Sequence, residues 1–272
     1  MPTAPAPRSP LEQSALQTAA GSDWQVELHD SATSTNALAA AAPVRGKVVV
    51  AHHQTAGRGR LDRTWETPAG AALALSAVVD PQVEPRSWPL LPLMAGLAVA
   101  RAIGPAAGLK WPNDVLIDDQ KLCGILVQRV ESSDAKPLAV IGIGINVSQS
   151  ADELPVETAT SLALLGLRRD RTELLGVVLR QLRRGLGELL RDPHGLMAAY
   201  RGRSVTLDRD VRVFLPGGEL LEGRVFDIDD HGQLVVHRGD PAPASAAGPG
   251  SPDPANIVSV SAGDVVHVRP LR

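Results

Sequence analysis

The chain has 272 residues, enough for one large domain or for a large domain followed by a small one. Its formal net charge of −3 gives no global basic field for holding nucleic acid, and its single cysteine, Cys123, excludes an internal disulfide framework and a cysteine-based zinc site. We find neither an export signal nor an apolar run long enough to cross a bilayer. The sequence therefore predicts a cytoplasmic protein that binds neither nucleic acid nor membranes.

The N-terminal part begins with a predicted flexible tail at residues 1–23, because closely spaced prolines disfavour regular structure there. Deleting residues 1–20 is accordingly expected to leave activity unchanged. Alternation over residues 24–30 predicts a strand, and Ser and Thr N-cap candidates then predict an Ala-rich helix that stops at Pro43. A second strand is predicted at residues 47–54.

The middle of the chain mixes apolar strands with a helix. Residues 70–79 predict a buried strand, and Leu90 to Ile103 predict a helix ended by glycine and proline. Two apolar runs joined by a turn at residues 118–120 predict a hairpin over residues 115–130. Another central strand is predicted at residues 137–147.

In the last third of the chain, the sequence pattern changes near residue 203 from helices to short strands. Leu and Val at helical spacing from Thr172 to Tyr200, interrupted at "RDPHG", predict one long helix and one short one. We expect an α+β fold in which a mixed central sheet with flanking helices forms a catalytic domain at residues 24–202. Short strands and turns predict a small β-barrel at residues 203–272, with a mobile Pro/Gly/Ala/Ser loop at residues 240–255.

A basic loop between His52 and Trp65 is the first chemical signal, because it carries no acidic residue before Asp62. It is not a Walker A loop, and it lacks the third glycine of a Rossmann fingerprint. Glycines allow backbone N–H groups to approach an anion closely, and the guanidinium groups of Arg58 and Arg60 suit phosphate or carboxylate. The alternative is a solvated basic turn without a ligand.

Further motifs accompany this loop in a fixed order, and together they resemble those of the biotin protein ligases. The resemblance is strong from about Trp24 to Val147 and weak over the C-terminal part. The motifs are "STN" at Ser34–Asn36, "GRGR" at Gly57–Arg60, "KWPND" at Lys110–Asp114, "KLCGIL" at Lys121–Leu126 and "GIGINV" at Gly142–Val147.

The resemblance implies a ligase-like catalytic domain, a C-terminal SH3-like β-barrel and a two-step reaction. The biotin carboxylate attacks the α-phosphate of ATP to form biotinyl-AMP, and a lysine of a biotin carboxyl carrier domain then takes the biotinyl group. Mg²⁺ is expected to be held by the substrate phosphates, and no metal ligand is assigned to the chain. The segment before Trp24 is too short for the DNA-binding domain that makes some members repressors, which implies a monofunctional ligase.

The resemblance also assigns roles to individual residues. Lys121 is implied to bridge the biotin carboxylate and the α-phosphate, with Arg58 and Arg60 as further catalytic candidates. Asp114 is implied to lie near the acceptor lysine, where it could orient or deprotonate the amine. The alternative for Asp114 is an Asx turn that caps the loop after Pro112.

Two overlapping sets of binding residues follow from the same motifs. The implied biotin-binding residues are Ser34, Thr35, Asn36, Gln54, Gly57, Arg58, Gly59, Arg60, Lys121, Gly124, Gly142 and Gly144. The implied ATP- or adenylate-binding residues are Arg58, Arg60, Arg63, Trp65, Asn113, Lys121 and Asn146. Trp65 is expected to stack on adenine, with core packing as its alternative, and Asn146 could merely satisfy a strand end.

Other conspicuous residues have simpler interpretations. His52 and His53 are adjacent on a strand and face opposite ways, so they are not a metal pair. Cys123 is expected to be a buried hydrophobe, and Lys110 and Trp111 are interpreted as structural. Leu61 and Asp62 depart from the family's usual loop, and an anion near the phosphate could loosen loop closure.

Two alternatives to a biotin ligase remain open at this point. One is a lipoate or octanoate protein ligase or transferase of the related fold, which would bind a linear fatty chain. The other is a biotin sensor without catalytic activity. Pyrophosphate release from ATP distinguishes the three, because it requires biotin, requires lipoate or does not occur.

Overall fold

The computed structural model describes residues 8–60, 64–132, 136–238 and 254–267, and its first part is built on a large sheet. The strands up to residue 146 are β1 (Gln25–Ala32), β2 (Lys47–Gln54), β3 (Gly57–Arg58), β4 (Thr64–Trp65), β5 (Ala72–Val79), β6 (Gly108–Lys110), β7 (Asp114–Ile117), β8 (Gln120–Val130) and β9 (Leu138–Asn146). Seven of them form one sheet in the order β1-β2-β5-β9-β8-β7-β6, in which only β1 and β2 are parallel. The predicted mixed central sheet is confirmed.

Large apolar residues alternate with small or polar residues along β9, so the two faces of the sheet differ there. Ala139, Ile141, Ile143 and Ile145 join the main hydrophobic core, where helices cover the sheet. The intervening residues beyond Val140 are Gly142, Gly144 and Asn146, which line a cavity on the other face. Because successive side chains of a strand point to opposite faces, one strand packs the core and leaves the opposite face open.

Five α-helices are described, and none of them is long and apolar enough to span a membrane. They are α1 (Gln13–Ala20), α2 (Thr35–Ala41), α3 (Leu90–Ile103), α4 (Arg171–Arg191) and α5 (Pro193–Arg201). The predicted helix from Leu90 to Ile103 is confirmed at both ends, and the long and short helices near the C-terminal third are α4 and α5. Helix α2 begins after Ser34, whose Oγ accepts a hydrogen bond from the Ala37 N–H at 3.3 Å.

The predicted hairpin is confirmed as β7 and β8, with a shorter turn than expected. Asp118 and Asp119 have φ values of 50° and 60°, in the left-handed region that a tight two-residue turn requires. Gln120, predicted to belong to the turn, instead begins β8.

The prediction of a flexible tail over residues 1–23 is wrong for the described part, residues 8–23. Helix α1 lies there, and its Leu16 is fully buried. Gln13 Nε2 donates to the Val26 carbonyl at 2.7 Å, and Gln17 Oε1 accepts from the Val26 N–H at 2.9 Å. Strand β1 is an edge of the sheet, so these side chains satisfy backbone groups that would otherwise be exposed.

The C-terminal part, predicted as a small β-barrel, is an antiparallel sheet that does not close on itself within the described residues. Its strands are β10 (Asp210–Phe214), β11 (Leu220–Ile228), β12 (Leu234–Arg238), β13 (Ile257–Val260) and β14 (Asp264–His267). They are ordered β13-β12-β11-β10-β14, so the edge strands β13 and β14 are not paired with each other. The predicted mobile loop at residues 240–255 lies outside the described residues except for its last two.

Backbone and side-chain hydrogen bonds join this sheet to the preceding part of the chain. The Leu109 N–H donates to the Arg203 carbonyl at 2.8 Å, and the Val205 N–H donates to the Leu109 carbonyl at 2.9 Å. The indole Nε1 of buried Trp111 donates to the Gly232 carbonyl at 2.9 Å, in keeping with its structural interpretation. The domain boundary near residue 203 stays a prediction.

The corrected N-terminal segment leads to a stability prediction. Leu16→Ala should lower the free energy of unfolding by about 2–5 kcal/mol, because it opens a cavity between α1 and the core. Ser14→Ala, on the exposed side of the same helix, should change it by less than about 0.5 kcal/mol. Denaturant unfolding of both variants measures this difference, and equal stability would restore the flexible-tail prediction.

Candidate functional site

One cavity of about 1150 Å³ gathers the predicted site residues on the open face of the large sheet. Every predicted site residue that the structure describes lines it, except Gly57. Gly57 is buried beside it, where a side chain would overlap Gln54 Nε2. Arg63 lies outside the described residues. Motifs up to 112 residues apart in sequence, from Ser34 to Asn146, thus contribute to one site.

A buried network of neutral polar groups forms one end of the cavity. Gln54 Oε1 accepts from the Thr35 N–H at 2.9 Å and from Thr35 Oγ1 at 3.1 Å. Ser76 Oγ lies 2.8 Å from Thr35 Oγ1 and 2.5 Å from Asn36 Oδ1. Sequence reasoning missed Ser76, although it is the single polar residue in the apolar run from 71 to 79. Thr35, Asn36 and Gln54 line the cavity and can recognise a neutral ligand with both donors and acceptors, while fully buried Ser76 holds Thr35 and Asn36 in place.

Glycines make the floor of the cavity and allow close approach. A side chain at Gly142 would overlap Asn36 Oδ1, and a Cβ at Gly144 would lie 2.8 Å from Trp65 Cε2. Gly124 pairs with Gly144 across β8 and β9 and lies under the same indole ring. The Trp65 ring therefore lies against Gly124 and Gly144 in the cavity, and its buried Nε1 has no hydrogen-bond partner among the described residues.

Two of the predicted catalytic residues, Lys121 and Asp114, form an ion pair. Lys121 Nζ lies 2.7 Å from Asp114 Oδ1 and 5.6 Å from the centre of the Trp65 ring. Both charged side chains are largely buried and line the cavity. The Asp114 carboxylate thus lies at the cavity beside Lys121, and its role in the chemistry stays a prediction.

The two arginines of the basic loop also line the cavity, with different surroundings. Arg58 is exposed, on the short ribbon formed by β3 and β4. Arg60 is half-buried, and its Nη2 donates to the Gly263 carbonyl in the C-terminal part at 3.2 Å. The loop thus connects the floor of the cavity to the C-terminal sheet.

Amide side chains line the cavity next to the start of β7 and at the end of β9. Asn146 Nδ2 donates to the Thr160 carbonyl at 2.9 Å, and Asn113 Nδ2 donates to the Ile125 carbonyl at 2.9 Å. Gln149, which sequence reasoning missed, donates from Nε2 to Asn146 Oδ1 at 2.9 Å. Asn113 and Asn146 therefore each bond a neighbouring backbone carbonyl and also line the cavity.

The C-terminal sheet contributes side chains that no motif predicted. Arg209, Asp264, Val266 and His267 line the cavity, as does Lys110, which was interpreted as structural. No sequence signal marked them, because they reach the site only through the packing of the C-terminal sheet against the ligase-like part.

His267 is held in an environment that favours the neutral imidazole. Thr206 Oγ1 accepts from the Trp111 N–H at 3.1 Å and lies 3.2 Å from His267 Nε2, to which its hydroxyl can donate. Burial lowers the pKa of His267 to about 4, helped by the positive charges of Lys110 and Arg209. Asp119 acts in the opposite direction.

His52 and Cys123, to which no site role was assigned, lie in buried or partly buried surroundings. Burial lowers the pKa of His52, and Arg171 adds to this, with its Nη2 3.5 Å from His52 Nδ1. Cys123 is fully buried, and that burial raises the pKa of its thiol. Within the described ranges no three His, Cys, Asp or Glu side chains are grouped to hold a metal ion.

Comparison with known proteins identifies the class to which this fold and site belong. The Biotin/lipoate A/B protein ligase family matches residues 28–146, and the Biotin protein ligase C terminal domain matches residues 206–268. The chain therefore belongs to the biotin/lipoate protein ligase family.

Individual relatives cover most of the chain. The biotin–acetyl-CoA-carboxylase ligase of Mycobacterium tuberculosis is 39% identical over 282 residues, which cover 96% of this chain and 97% of the relative. The bifunctional ligase/repressor BirA of Escherichia coli is 33% identical over 71% of this chain, and the match spans 62% of that relative. The solved biotin protein ligase from Aquifex aeolicus in complex with biotin and ATP is 26% identical, with a TM-score of 0.71 over 90% of this chain and 98% of that chain.

The environment of His267 predicts a pH dependence of stability. Its pKa is about 4 in the folded protein and about 6.5 when unfolded, so the unfolded state takes up the proton first as the pH falls. The stability that this pKa difference gives the folded protein is fully present above pH 6.5 and is lost as the pH falls from 6.5 to about 4. His267→Gln should lose roughly 1–2 kcal/mol less stability than the wild type between pH 7 and pH 4.5, after allowance for solvent screening. Denaturant unfolding at both pH values measures this, and parallel losses would contradict it.

Proposed function

We propose that this protein is a biotin protein ligase, which activates biotin with ATP and transfers it to a lysine of a biotin carboxyl carrier domain. The observation that carries the proposal is that Lys121, beside Asp114 and Trp65, lines one cavity together with the neutral polar pocket and the cationic loop. The relatives named as biotin ligases support it.

In the first step, the two ends of the cavity hold two different substrates. Thr35, Asn36 and Gln54 line the cavity and offer hydrogen bonds to the ureido ring of biotin, and Ser76 holds Thr35 and Asn36 from behind. A biotin carboxylate oxygen attacks the α-phosphorus of ATP, the bond to the β-phosphate breaks, and pyrophosphate leaves. Lys121 then exchanges Asp114 for substrate oxygens and follows the negative charge as it moves between them.

In the second step, Asp114 becomes available for the acceptor. Once Lys121 is engaged by the adenylate, the freed carboxylate accepts a proton from the ammonium of the acceptor lysine. The resulting amine attacks the biotinyl carbonyl carbon, an amide bond forms, and AMP leaves. Neither step requires a covalent intermediate with the enzyme.

The remaining components follow from this chemistry. We expect Mg²⁺ to arrive with the ATP phosphates and to be held mainly by them. The partner is a carrier domain of a biotin-dependent carboxylase, as the name of the Mycobacterium tuberculosis relative suggests. We place the reaction in the cytoplasm, where ATP is available and the single buried Cys123 stays reduced.

One experiment separates this proposal from its alternatives. Purified protein with ATP should release pyrophosphate when biotin is added, and should then label one lysine of a carrier domain. Release with lipoate or octanoate but not with biotin would identify the related acyl ligase. Biotin binding without pyrophosphate release would identify a sensor.

Lys121→Ala should slow biotin-dependent pyrophosphate release by about 10²- to 10³-fold or more, because it removes the cation that stabilises the developing charge. Lys136→Ala, at an exposed position, is the matched control and should retain full activity. Thermal unfolding of both variants checks that the fold is intact. Normal turnover in Lys121→Ala would remove this lysine from the mechanism.

Arg60→Ala should increase the dissociation rate of biotinyl-AMP by about 10- to 100-fold, because a charge-assisted hydrogen bond is lost and the loop is released from Gly263. Arg86→Ala removes an exposed arginine paired with Glu84 and serves as the control. Stopped-flow displacement of the adenylate measures both rates, and equal rates would contradict a retaining role for Arg60.

A further inference from the structure

Arg8, which precedes α1, ties the N-terminal segment to the loop that follows β9. Its Nε donates to Ser148 Oγ at 3.2 Å, and its Nη2 donates to the Ser148 carbonyl at 3.1 Å. The same Nη2 pairs with Glu153 Oε2 at 2.5 Å, with 16% of the Arg8 side chain and 22% of the Glu153 side chain exposed. Buried Arg171 holds the adjoining backbone, because its Nη2 donates to the Ser9 carbonyl at 2.6 Å. So little exposed a charge-assisted pair is a firmer link than a surface ion pair.

Glu153 extends this link into the loop at residues 150–160, which we call the cavity loop. Its Oε2 accepts from the Ser150 N–H at 3.0 Å and from Ser150 Oγ at 3.1 Å, which caps the short 3₁₀ helix Ala151–Glu153. The hydrogen bond from Arg8 holds the pKa of Glu153 below its ordinary value against the opposing effect of burial, and the Ser150 bonds add to it. Among the described residues, Arg8 is the one group outside the cavity loop that hydrogen-bonds to residues 150–153. Arg8 therefore fixes the first turn of the loop.

The far end of the cavity loop fixes the backbone of Lys121. The Lys121 N–H donates to the Thr158 carbonyl at 2.7 Å, and the Thr160 N–H donates to the Lys121 carbonyl at 2.9 Å. Strand β9 pairs with β8 from Cys123 to Val130, so Lys121 lies beyond that ladder, and the cavity loop takes the place of β9 beside it. Because a side chain is placed accurately only when its backbone is supported, the loop helps to set where the Lys121 ammonium lies.

The stretch between the two ends of the cavity loop is short and restricted. Residues 154–157 separate the 3₁₀ helix from Thr158, and Pro155 restricts the backbone among them. The Ala159 N–H donates to the Val156 carbonyl at 3.0 Å, which closes a turn in this stretch. A shift of the 3₁₀ helix would therefore displace the segment that bonds the lysine.

We propose that Arg8 is a positioning residue for Lys121, which it holds through Glu153 and the cavity loop. The catalytic consequence rests on the proposed function, in which the Lys121 ammonium stabilises negative charge in the first step. Arg8 is not among the described residues that line the cavity, so it acts on the reaction through the loop and not by touching a substrate. The proposal opposes the expectation that residues 1–20 can be deleted without loss of activity.

Amide hydrogen exchange in the full chain tests the link independently of the reaction. In Arg8→Ala, the Lys121 N–H should exchange about tenfold or more faster than in the wild type, because its acceptor carbonyl lies on a loosened loop. Arg183→Ala removes a different ion pair of the N-terminal segment, the one with Asp23, and as the matched control it should leave this exchange rate unchanged. Arg8→Lys keeps a charge opposite Glu153 but loses the planar fork, so its exchange rate should lie between those of Arg8→Ala and the wild type. If Arg8→Ala does not fold, the comparison of Arg8→Lys with the wild type decides.

Steady-state kinetics tests the consequence for catalysis. Arg8→Ala should lower kcat for biotin-dependent pyrophosphate release by about tenfold, because a small displacement of a catalytic group is costly. The KM for biotin should change by less than about twofold, because the bonds of the neutral polar pocket lie outside the cavity loop. In a Lys121→Ala background, Arg8→Ala should change kcat by less than about twofold, since the group that it positions is gone. A merely structural role would lower kcat equally in both backgrounds.

Unchanged exchange of the Lys121 N–H in Arg8→Ala would overturn the proposal. Faster exchange with an unchanged kcat would overturn it too, as would an equal loss of kcat with and without Lys121. An absence of pyrophosphate release from the wild type would instead refute the proposed function and the catalytic consequence with it. The exchange measurement alone would then decide whether Arg8 holds the backbone of Lys121.

Discussion

The constraint on which the site depends is the alternation of isoleucine and glycine along β9. Ile141, Ile143 and Ile145 pack into the core beneath α3 and α4, which fixes the strand at the centre of the sheet. Gly142 and Gly144 leave the other face without side chains, so that Asn36 and Trp65 can lie directly on the backbone. A rigid core and an open cavity are thus two consequences of one pattern, because a strand points alternate residues to opposite faces.

A second feature of the cavity is the ion pair between Lys121 and Asp114. Lys121 and Asp114 pair at 2.7 Å, so neither of these largely buried charges is left without a partner. On the proposed reaction, an incoming anion takes over Lys121 and frees Asp114 for the acceptor lysine. The order of the two chemical steps would then follow from a single exchange of partners.

Sequence reasoning was strongest where the signal is local and weakest where a distant partner decides. Helix α3 and the hairpin of β7 and β8 follow from apolar runs and turn residues, and the motifs converge on one cavity. Helix α1 was missed because prolines dominate the preceding composition, whereas its stability comes from burying Leu16 and bonding the edge of β1. Gln149 and His267 were missed because only tertiary packing brings them to the cavity. The barrel was predicted from strand spacing, which does not specify whether the edge strands meet.

Calorimetric titration of the purified protein with biotin and, separately, with lipoate tests the central claim most directly. The polar pocket is lined by hydroxyl and amide groups of Ser34, Thr35, Asn36 and Gln54, which suit a ureido ring better than a linear acyl chain. We therefore predict saturable binding of biotin with a favourable enthalpy and no detectable binding of lipoate at the same concentrations. Binding of lipoate in preference to biotin would contradict the assignment of this cavity to biotin, even though the fold would stand.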